Sequence, residues 1–220
     1  MIVVVGLAFE ARIARRSGLP VICAGSGRNL ATALSDAIRG DCDGLISFGV
    51  AGGLHADLPS GTCIVGSAIV AGDERFQTDY ALSQRFLTRL PGAMSGVLAG
   101  VPEPVSTAAS KHALHRDTGA LAVDMESHVV ARAARKHSVP MTAIRVICDP
   151  AARSLPDMAF RSVRPDGSAS VMSLLGSIMR QPAHLPAMMR VALDMRSARA
   201  TLVNCGPILA AGLASLAEAA

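Results

Sequence analysis

Short apolar runs that end at or near glycine recur through the first 150 residues, and they constrain the fold more than any other feature of this sequence. The runs predict buried strands over residues 2–5, 20–24, 44–50, 62–70, 120–123 and 141–148. Helical patterns lie between them, over 9–16, 29–38 and 127–137. Strands that alternate with glycine loops and helices predict an α/β fold: a single three-layer αβα domain around a central, mostly parallel twisted sheet.

The sequence changes in character after residue 150, where prolines divide the chain into short pieces. Apolar residues there fall on two helical stripes, over 171–179 and 185–195, and arginines lie off the second stripe. We therefore interpret residues 1–220 as one domain in which 151–220 is a helical C-terminal extension packed on the rest. The alternative is an amphipathic, Met-rich and basic surface for a lipid-like ligand or a membrane face, peripheral to the inner membrane.

Composition argues against several classes of protein. The net charge of +4 is modest and no Lys/Arg run is interleaved with aromatic residues, so we expect no nucleic-acid partner. The five cysteines are scattered and never form a Cys-x-x-Cys pair, which argues against a disulfide framework and for a reducing cytoplasm. No apolar run reaches the ~18 residues that span a bilayer. Residues 1–6 read as a first strand, not as a signal peptide.

The sequence predicts no metal ion and no cofactor. His112 and His115 could share a helix face, but no third metal ligand is near them in sequence. The segment Gly-Ser-Gly at 25–27 lies between a strand and a helix, so its backbone N–H groups could meet an anion. A plain tight turn explains this segment about as well. The three-glycine dinucleotide pattern is incomplete, which argues against a nicotinamide cofactor.

Three charged residues stand at ends of predicted elements, where catalytic groups are commonly found. Glu126 lies on the first turn of a predicted helix, and Asp149 follows a buried strand. Arg145 comes four residues before Asp149. Two carboxylates and a cation supplied from such positions are typical of an active site. The alternative for Asp149 is a turn or cap residue before Pro150.

A flat surface is predicted where the third strand runs into Ala51-Gly52-Gly53. Residues with little or no side chain leave the backbone open to a planar group such as a sugar or a base. The alternative is a bulged strand end.

Together these motifs resemble the purine nucleoside phosphorylase/uridine phosphorylase superfamily, and within it the methylthioadenosine/S-adenosylhomocysteine nucleosidases. The resemblance covers about residues 1–150. It rests on Phe-Gly-Val-Ala-Gly-Gly-Leu at 48–54, Val-Asp-Met-Glu at 123–126 and Arg-Val-Ile-Cys-Asp at 145–149. It implies an enzyme that cleaves the N-glycosidic bond of a purine nucleoside, and a homodimer or larger assembly.

The resemblance also implies roles for individual residues. Asp149 would protonate N7 of the purine as the bond breaks, and Arg145 would hold the nucleophile, either water or phosphate. Glu126 would bind the ribose hydroxyls, with Met125 packed against the sugar. The resemblance places Ala51 and Gly52 against the ribose and base. Gly27 and Arg28, at the glycine loop, are predicted instead from their own position, as an anion-binding turn and a second cation for phosphate.

Some positions depart from the family pattern. Glu10 resembles the acid that orients the attacking water, but it stands one residue from the family's position. Val50 replaces a hydroxyl residue, which weakens the positioning of water or phosphate. Cys148 replaces a serine, and we interpret it as a small buried residue and not as a nucleophile. Residues 106–109 would meet the base edge.

The chemistry of the bond agrees with these roles. Cleavage builds oxocarbenium character on the ribose and negative charge on the base, so a carboxylic acid at the base can donate a proton as that charge develops. Such an acid needs a raised pKa, which burial favours. A carboxylate that holds the ribose hydroxyls positions the sugar.

Alternatives stay open within this interpretation. Glu10 favours water as the nucleophile, whereas Arg145 and Arg28 could bind phosphate; hydrolysis is slightly preferred over phosphorolysis. A non-catalytic nucleoside- or lipid-binding protein of the same fold is a further alternative. A narrower resemblance, at 6–12, 123–128 and 164–167, is to the hopanoid-biosynthesis-associated phosphorylases of bacteria. It implies an adenine nucleoside with a large apolar 5′ group, adenosylhopane-like.

Overall fold

A mixed sheet forms the centre of the protein in the computed structural model, which describes residues 1–25, 27–38, 42–155 and 185–211. The strands in these ranges are β1 Ile2–Val5, β2 Val21–Cys23, β3 Leu45–Gly53, β4 Cys63–Ala71, β5 Glu74–Gln77, β6 Met94–Gly100, β7 Ala122–Asp124 and β8 Met141–Asp149. The helices are α1 Ala8–Ala14, α2 Gly27–Ala37, α3 Tyr80–Arg89, α4 Ala108–Thr118, α5 Ser127–His137, α6 Leu185–Cys205 and α7 Ile208–Ala211, with a 3-10 turn at Arg15–Ser17.

Most strand pairings among these elements are parallel. β1 pairs with β2 and β3, β3 with β8, β4 with β6, and β6 with β7 in parallel. Antiparallel pairings join β4 to β5 and β8, and a short one joins β3 to β7. The mixed α/β architecture with a mostly parallel sheet confirms the predicted fold class.

Apolar side chains cover both faces of the sheet, which places helices on both sides. On one face, α2 and α5 pack against the sheet through residues such as Leu34 and Val130. On the other face, α1, α3 and α6 do so through residues such as Phe86 and Leu202. Burial on both faces explains why the strands read as continuous apolar runs instead of alternating patterns.

The carboxyl ends of three parallel strands meet at one edge. β3 lies between β1 and β8, with Gly49 opposite Arg145 and Gly52 opposite Asp149. The short antiparallel pairing brings Val123 of β7 beside Gly52 as well. Parallel sheets bind ligands at such an edge.

The third strand is longer than its sequence pattern predicted. Instead of closing at Val50, β3 continues through Ala51-Gly52-Gly53, and its register with β8 shifts between Ala51 and Gly52. A strand extension and a bulge therefore occur together.

Helix α6 docks beside the loop that precedes β4. Ser60 Oγ donates to the Asp194 carbonyl (2.6 Å), Ser197 Oγ donates to the Ser60 carbonyl (3.2 Å), and Thr201 Oγ1 donates to the Gly61 carbonyl (3.0 Å). The predicted stripe over 185–195 lies on this helix, whereas the stripe over 171–179 lies outside the described residues. None of the helices described is long and apolar enough to cross a membrane.

Candidate active site

The Glu10 carboxylate is fully buried where β1, α1 and β3 meet. Its Oε2 accepts hydrogen bonds from the backbone N–H groups of Gly6 (3.1 Å) and Leu7 (2.8 Å), reaching back across the start of α1 as in a capping box. Its Oε1 accepts from the backbone N–H of Val50 on β3 (2.8 Å). Burial raises the pKa of Glu10, although Arg145 and these N–H groups oppose the shift.

Glu126 lies directly before α5, and its side chain covers the end of β1. A Cβ placed on Gly6 would lie 2.5 Å from Glu126 Oε1, so only glycine leaves room for this carboxylate. Burial raises the pKa of Glu126 to about 8; Arg145 opposes the shift, whereas Asp124 and Glu10 reinforce it. Near neutral pH this group therefore holds its proton for much of the time in the ligand-free protein.

Asp124 organises the turn that presents Glu126. Its Oδ1 accepts from the backbone N–H groups of Glu126 (2.8 Å) and Ser127 (2.6 Å), the two groups that open α5. The same oxygen lies 3.1 Å from Arg145 Nη2. An aspartate that bonds its own backbone two and three residues on is a common turn former, and here it also joins the turn to β8.

The Arg145 guanidinium lies fully buried among these acids. Nη2 donates to Ser47 Oγ (2.7 Å), Nε donates to Ser127 Oγ (3.3 Å), and Nη1 lies 3.4 Å from Glu126 Oε2. A Cβ on Gly49 would come within 2.7 Å of both Nη1 and Glu10 Oε1, so this glycine lies between the two groups. Arg145 thus links Glu10, Glu126 and Asp124 into one electrostatically coupled cluster.

Asp149 stands apart from this cluster, in a buried ion pair with Lys111 of α4. Lys111 Nζ lies 2.5 Å from Asp149 Oδ2, and the lysine is fully buried. Burial raises the pKa of Asp149, and the hydrogen bond and charge of Lys111 offset part of that rise. The other oxygen, Oδ1, is buried without a hydrogen-bond partner among the described residues.

Asp149 contacts β3 at Gly52, whereas the cluster around Arg145 contacts β3 nearer to Val50. A Cβ on Gly52 would meet Asp149 Oδ2 at 3.4 Å and Lys111 Cε at 3.9 Å, whereas Glu10 bonds to Val50 two residues earlier. Two residues span about 7 Å along a strand. The end of β3 therefore has acidic groups against it at two positions about 7 Å apart along the strand.

The other predicted residues occupy varied positions. Ala51 is buried within β3, and Met125 is half-buried beside Glu126. Gly27 and Arg28 begin α2 as exposed residues, and nothing lies within 4 Å of a Cβ placed on Gly27. The segment 106–109 leads into α4 and bonds to the loop after β8, through Ala108 N to Ser154 Oγ (3.1 Å).

Sequence reasoning missed four members of the site: Lys111, Asp124, Ser47 and Ser127. Asp124 belongs to the quoted motif at 123–126, but nothing in its spacing marks it as a partner of Arg145. Lys111 is one of two lysines in the chain, beside Lys136. That scarcity was the one signal available for it.

Cys148 lies directly before Asp149, in surroundings that suppress ionisation of its thiol. Burial raises the pKa of Cys148 to about 12, so its thiol is neutral near neutral pH and a poor nucleophile. Within the described ranges, no group of three or more His, Cys, Asp or Glu side chains could hold a metal ion.

The family model of the phosphorylase superfamily matches residues 8–179. Among curated proteins, no significant sequence match is found.

Similar solved structures share the fold at low identity. The methylthioadenosine/S-adenosylhomocysteine nucleosidase of Neisseria meningitidis, in complex with methylthio-immucillin-A, is 17% identical with a TM-score of 0.69, covering 96% of this chain and 98% of that one. The nucleosidase of Colwellia psychrerythraea, in complex with adenine, is 18% identical with a TM-score of 0.64 (80% and 93%). A futalosine hydrolase mutant of Helicobacter pylori is 18% identical with a TM-score of 0.65 (80% and 98%).

Proposed function

The chain belongs to the phosphorylase superfamily, and on that premise we propose that it hydrolyses the N-glycosidic bond of an adenine nucleoside that carries an apolar 5′ group. The observation that carries the proposal is the pair of acidic regions along the end of β3. Glu10 and Glu126 lie together near Val50, and Asp149 lies beside Gly52. The reaction needs one acidic group at the sugar and another at the leaving base.

Asp149 serves the leaving base in this proposal. Its Oδ1, which has no hydrogen-bond partner among the described residues, is the oxygen that would face a ligand, and burial raises the pKa of the carboxyl, which favours the protonated form. As the bond to C1′ breaks, the proton passes from Oδ1 to N7 and the carboxyl becomes a carboxylate. Adenine then leaves as a neutral molecule.

Glu10 and Glu126 serve the sugar and the nucleophile. Glu126 accepts hydrogen bonds from the ribose hydroxyls, and its position before α5 is fixed by Asp124. Glu10 accepts a proton from the attacking water as the C1′–O bond forms. Arg145 keeps these carboxylates together and oriented.

The charge around Arg145 favours water over phosphate. Its fully buried guanidinium faces three carboxylic groups, those of Glu10, Asp124 and Glu126. Asp124 already balances the charge of this guanidinium, and Ser47 and Ser127 already accept its hydrogen bonds, so burying a phosphate dianion beside it would be costly. Arg28 is the cation that would support phosphorolysis, and it begins α2 as an exposed residue.

Support for the base and the 5′ group is more indirect. Two of the similar structures hold adenine or methylthio-immucillin-A. The apolar 5′ group is suggested by the resemblance to the hopanoid-associated phosphorylases, and Met189 and Leu193 are exposed apolar residues on the surface of α6. Because of this surface, the proposal includes peripheral contact with lipid. Co-sedimentation with anionic liposomes tests that part, and protein that stays in the supernatant contradicts it.

The decisive experiment measures free adenine by mass spectrometry from a panel of 5′-substituted adenosines, with and without inorganic phosphate. We expect release without phosphate, with ribose bearing the 5′ group as the second product and higher kcat/KM for apolar 5′ groups. A requirement for phosphate, with a ribose 1-phosphate as product, would replace hydrolysis by phosphorolysis. No release from any member of the panel would leave a binding protein of the same fold.

A further inference from the structure

The ion pair between Lys111 and Asp149 is buried, and it engages only one of the two carboxyl oxygens. Lys111 lies in the first turns of α4, and Asp149 ends β8, 38 residues later. Both groups are buried, and burying a lysine is costly unless its ammonium group is fully satisfied. The chain contains one other lysine, and Lys136 is exposed.

All the N–H donors of the Lys111 ammonium group bond to the end of β8 and the loop that follows it. Besides Asp149 Oδ2, Nζ donates to the carbonyls of Pro150 (3.2 Å) and Arg153 (3.0 Å). An ammonium group has three N–H donors, so these acceptors satisfy it. The lysine therefore fixes the loop after β8 and has no donor left for a substrate.

The two oxygens of Asp149 are consequently unequal. Oδ2 is held by Lys111 and faces Gly52, whereas Oδ1 has no hydrogen-bond partner among the described residues. A buried, unpartnered carboxyl oxygen is rare and calls for a ligand group. Lys111 thus selects which oxygen is left for the base.

We propose that Lys111 is a positioning residue that orients Asp149 and stabilises the carboxylate formed when Asp149 gives its proton to the departing base. The inference rests on the proposed function. In the step, the O–H bond at Oδ1 breaks, the proton binds N7, and the electron pair stays on the carboxylate. The ammonium group at Oδ2 interacts more strongly with that carboxylate than with the neutral acid, so it favours the transition state over the ground state.

The charged groups around Asp149 determine how far its pKa would change when Lys111 is replaced. Lys111 faces it from α4, and Arg153 lies on the following turn, where its guanidinium pairs with Asp194 of α6. The neighbouring thiol of Cys148 is neutral, and β3 contributes the uncharged Gly52. Lys111 is the closest of the charges, so its removal dominates the change.

The test is the pH profile of adenine release by Lys111→Met, with Lys136→Met as the matched control. Without the ammonium group Asp149 is a weaker acid. We expect the plateau of kcat to fall about three- to tenfold, with KM little changed, because one pKa unit is a factor of ten in acid strength and the rate follows part of that difference. Activity that needs protonated Asp149 is lost as pH rises through its pKa. The loss of activity on the alkaline side of the pH profile should therefore move by about one unit or more to higher pH.

A double variant separates this role from simple loss of structure. In an Asp149→Asn background, Lys111→Met should cause no further loss of kcat, with near-ultraviolet circular dichroism reporting the fold of each variant. An alkaline side of the pH profile that does not move, or an equal further loss in the Asp149→Asn background, would overturn the proposal. Wild-type protein that releases no adenine overturns the proposed function first, and the role of Lys111 with it. If Lys111→Met does not fold, Lys111→Gln takes its place, and the same criteria apply to it.

Discussion

Asp149 is buried, and among the described residues its Oδ1 has no hydrogen-bond partner, which are the two properties on which its proposed role depends. A carboxyl in water is ionised at pH 7 and has no proton to give, whereas burial raises the pKa of Asp149 towards the range in which it can. The Lys111 ammonium limits that rise, which under the proposed function lets the proton leave with the base. An acid tuned in this way is typical of a catalytic group.

Asp149→Asn tests the acid directly. The amide keeps the shape of the side chain but has no ionisable proton, so we expect kcat to fall about 10²–10⁴-fold, the usual contribution of a general acid. Adenine binding, measured by calorimetry, should be largely retained. Unchanged turnover would remove Asp149 from the mechanism.

Glu126 makes a prediction about stability. Its pKa is about 8 in the folded protein and near 4.5 in the unfolded chain, so between these values the folded state binds more protons. The free energy of unfolding should therefore fall as pH rises from about 5 to 8, by at most about 1.4 kcal/mol per unit from this group. Glu126→Gln should flatten that slope, measured by urea unfolding at pH 5 and pH 8. Equal slopes in both proteins would contradict the raised pKa.

Individual residues also show where sequence analysis stops. Glu10, Glu126 and Arg145 are predicted from motifs, and the structure brings them together, including Glu10 despite its offset of one position. The partners of Arg145 could not be predicted, because Ser47 and Ser127 are distant in sequence and ordinary in type. Their importance arises from burial of the guanidinium, which must then be fully satisfied.

At the scale of elements, a strong hydrophobic pattern was enough to predict a helix or strand, whereas a weak or interrupted pattern was not. The predicted bounds of β1 and α5 match the structure, and those of β8 differ by one residue. The helix α3, Tyr-Ala-Leu-Ser-Gln-Arg-Phe-Leu-Thr-Arg, was missed because polar residues make up half of this short segment. The strand β6 was missed because glycines and a serine interrupt its apolar run. In both cases tertiary packing supplies the stability that the local pattern lacks.

The docking of α6 can be tested at one glycine. Gly61 has a φ of +92°, and a Cβ there would lie 2.6 Å from Ser197 Oγ, displacing its hydrogen bond to Ser60. Gly72 has a φ of +60° with open space around it, so Gly72→Ala measures the backbone strain alone. We expect Gly61→Ala to cost about 1 kcal/mol more than Gly72→Ala in urea unfolding, the value of a lost hydrogen bond. Faster amide exchange in α6 should accompany the loss in Gly61→Ala alone, and equal costs would show that the contact contributes nothing.

At the scale of the whole molecule, the site exists only because distant segments converge. Glu10 comes from the start of the chain, Glu126 from its middle and Asp149 from β8, and the parallel register of β1, β3 and β8 brings them to one edge. The alternating pattern of strands and helices predicts that edge, because parallel strands end together. It does not predict α4 and its Lys111, since the segment between β6 and β7 carries no strong pattern.

Ligand binding should stabilise the molecule as a whole and identify the nucleophile. A ligand at 100 times its Kd adds about 2.7 kcal/mol to the free energy of unfolding, and each kcal/mol raises Tm by about 2–4 °C for a domain of this size. Adenine should therefore raise Tm by about 5–10 °C. Inorganic phosphate, compared with chloride at equal ionic strength, should leave Tm unchanged, because the guanidinium of Arg145 already faces three carboxylic groups. A specific shift with phosphate, lost in Arg28→Ala, would place an anion at the start of α2 and favour phosphorolysis; Arg12→Ala, another exposed arginine, is the control for general charge.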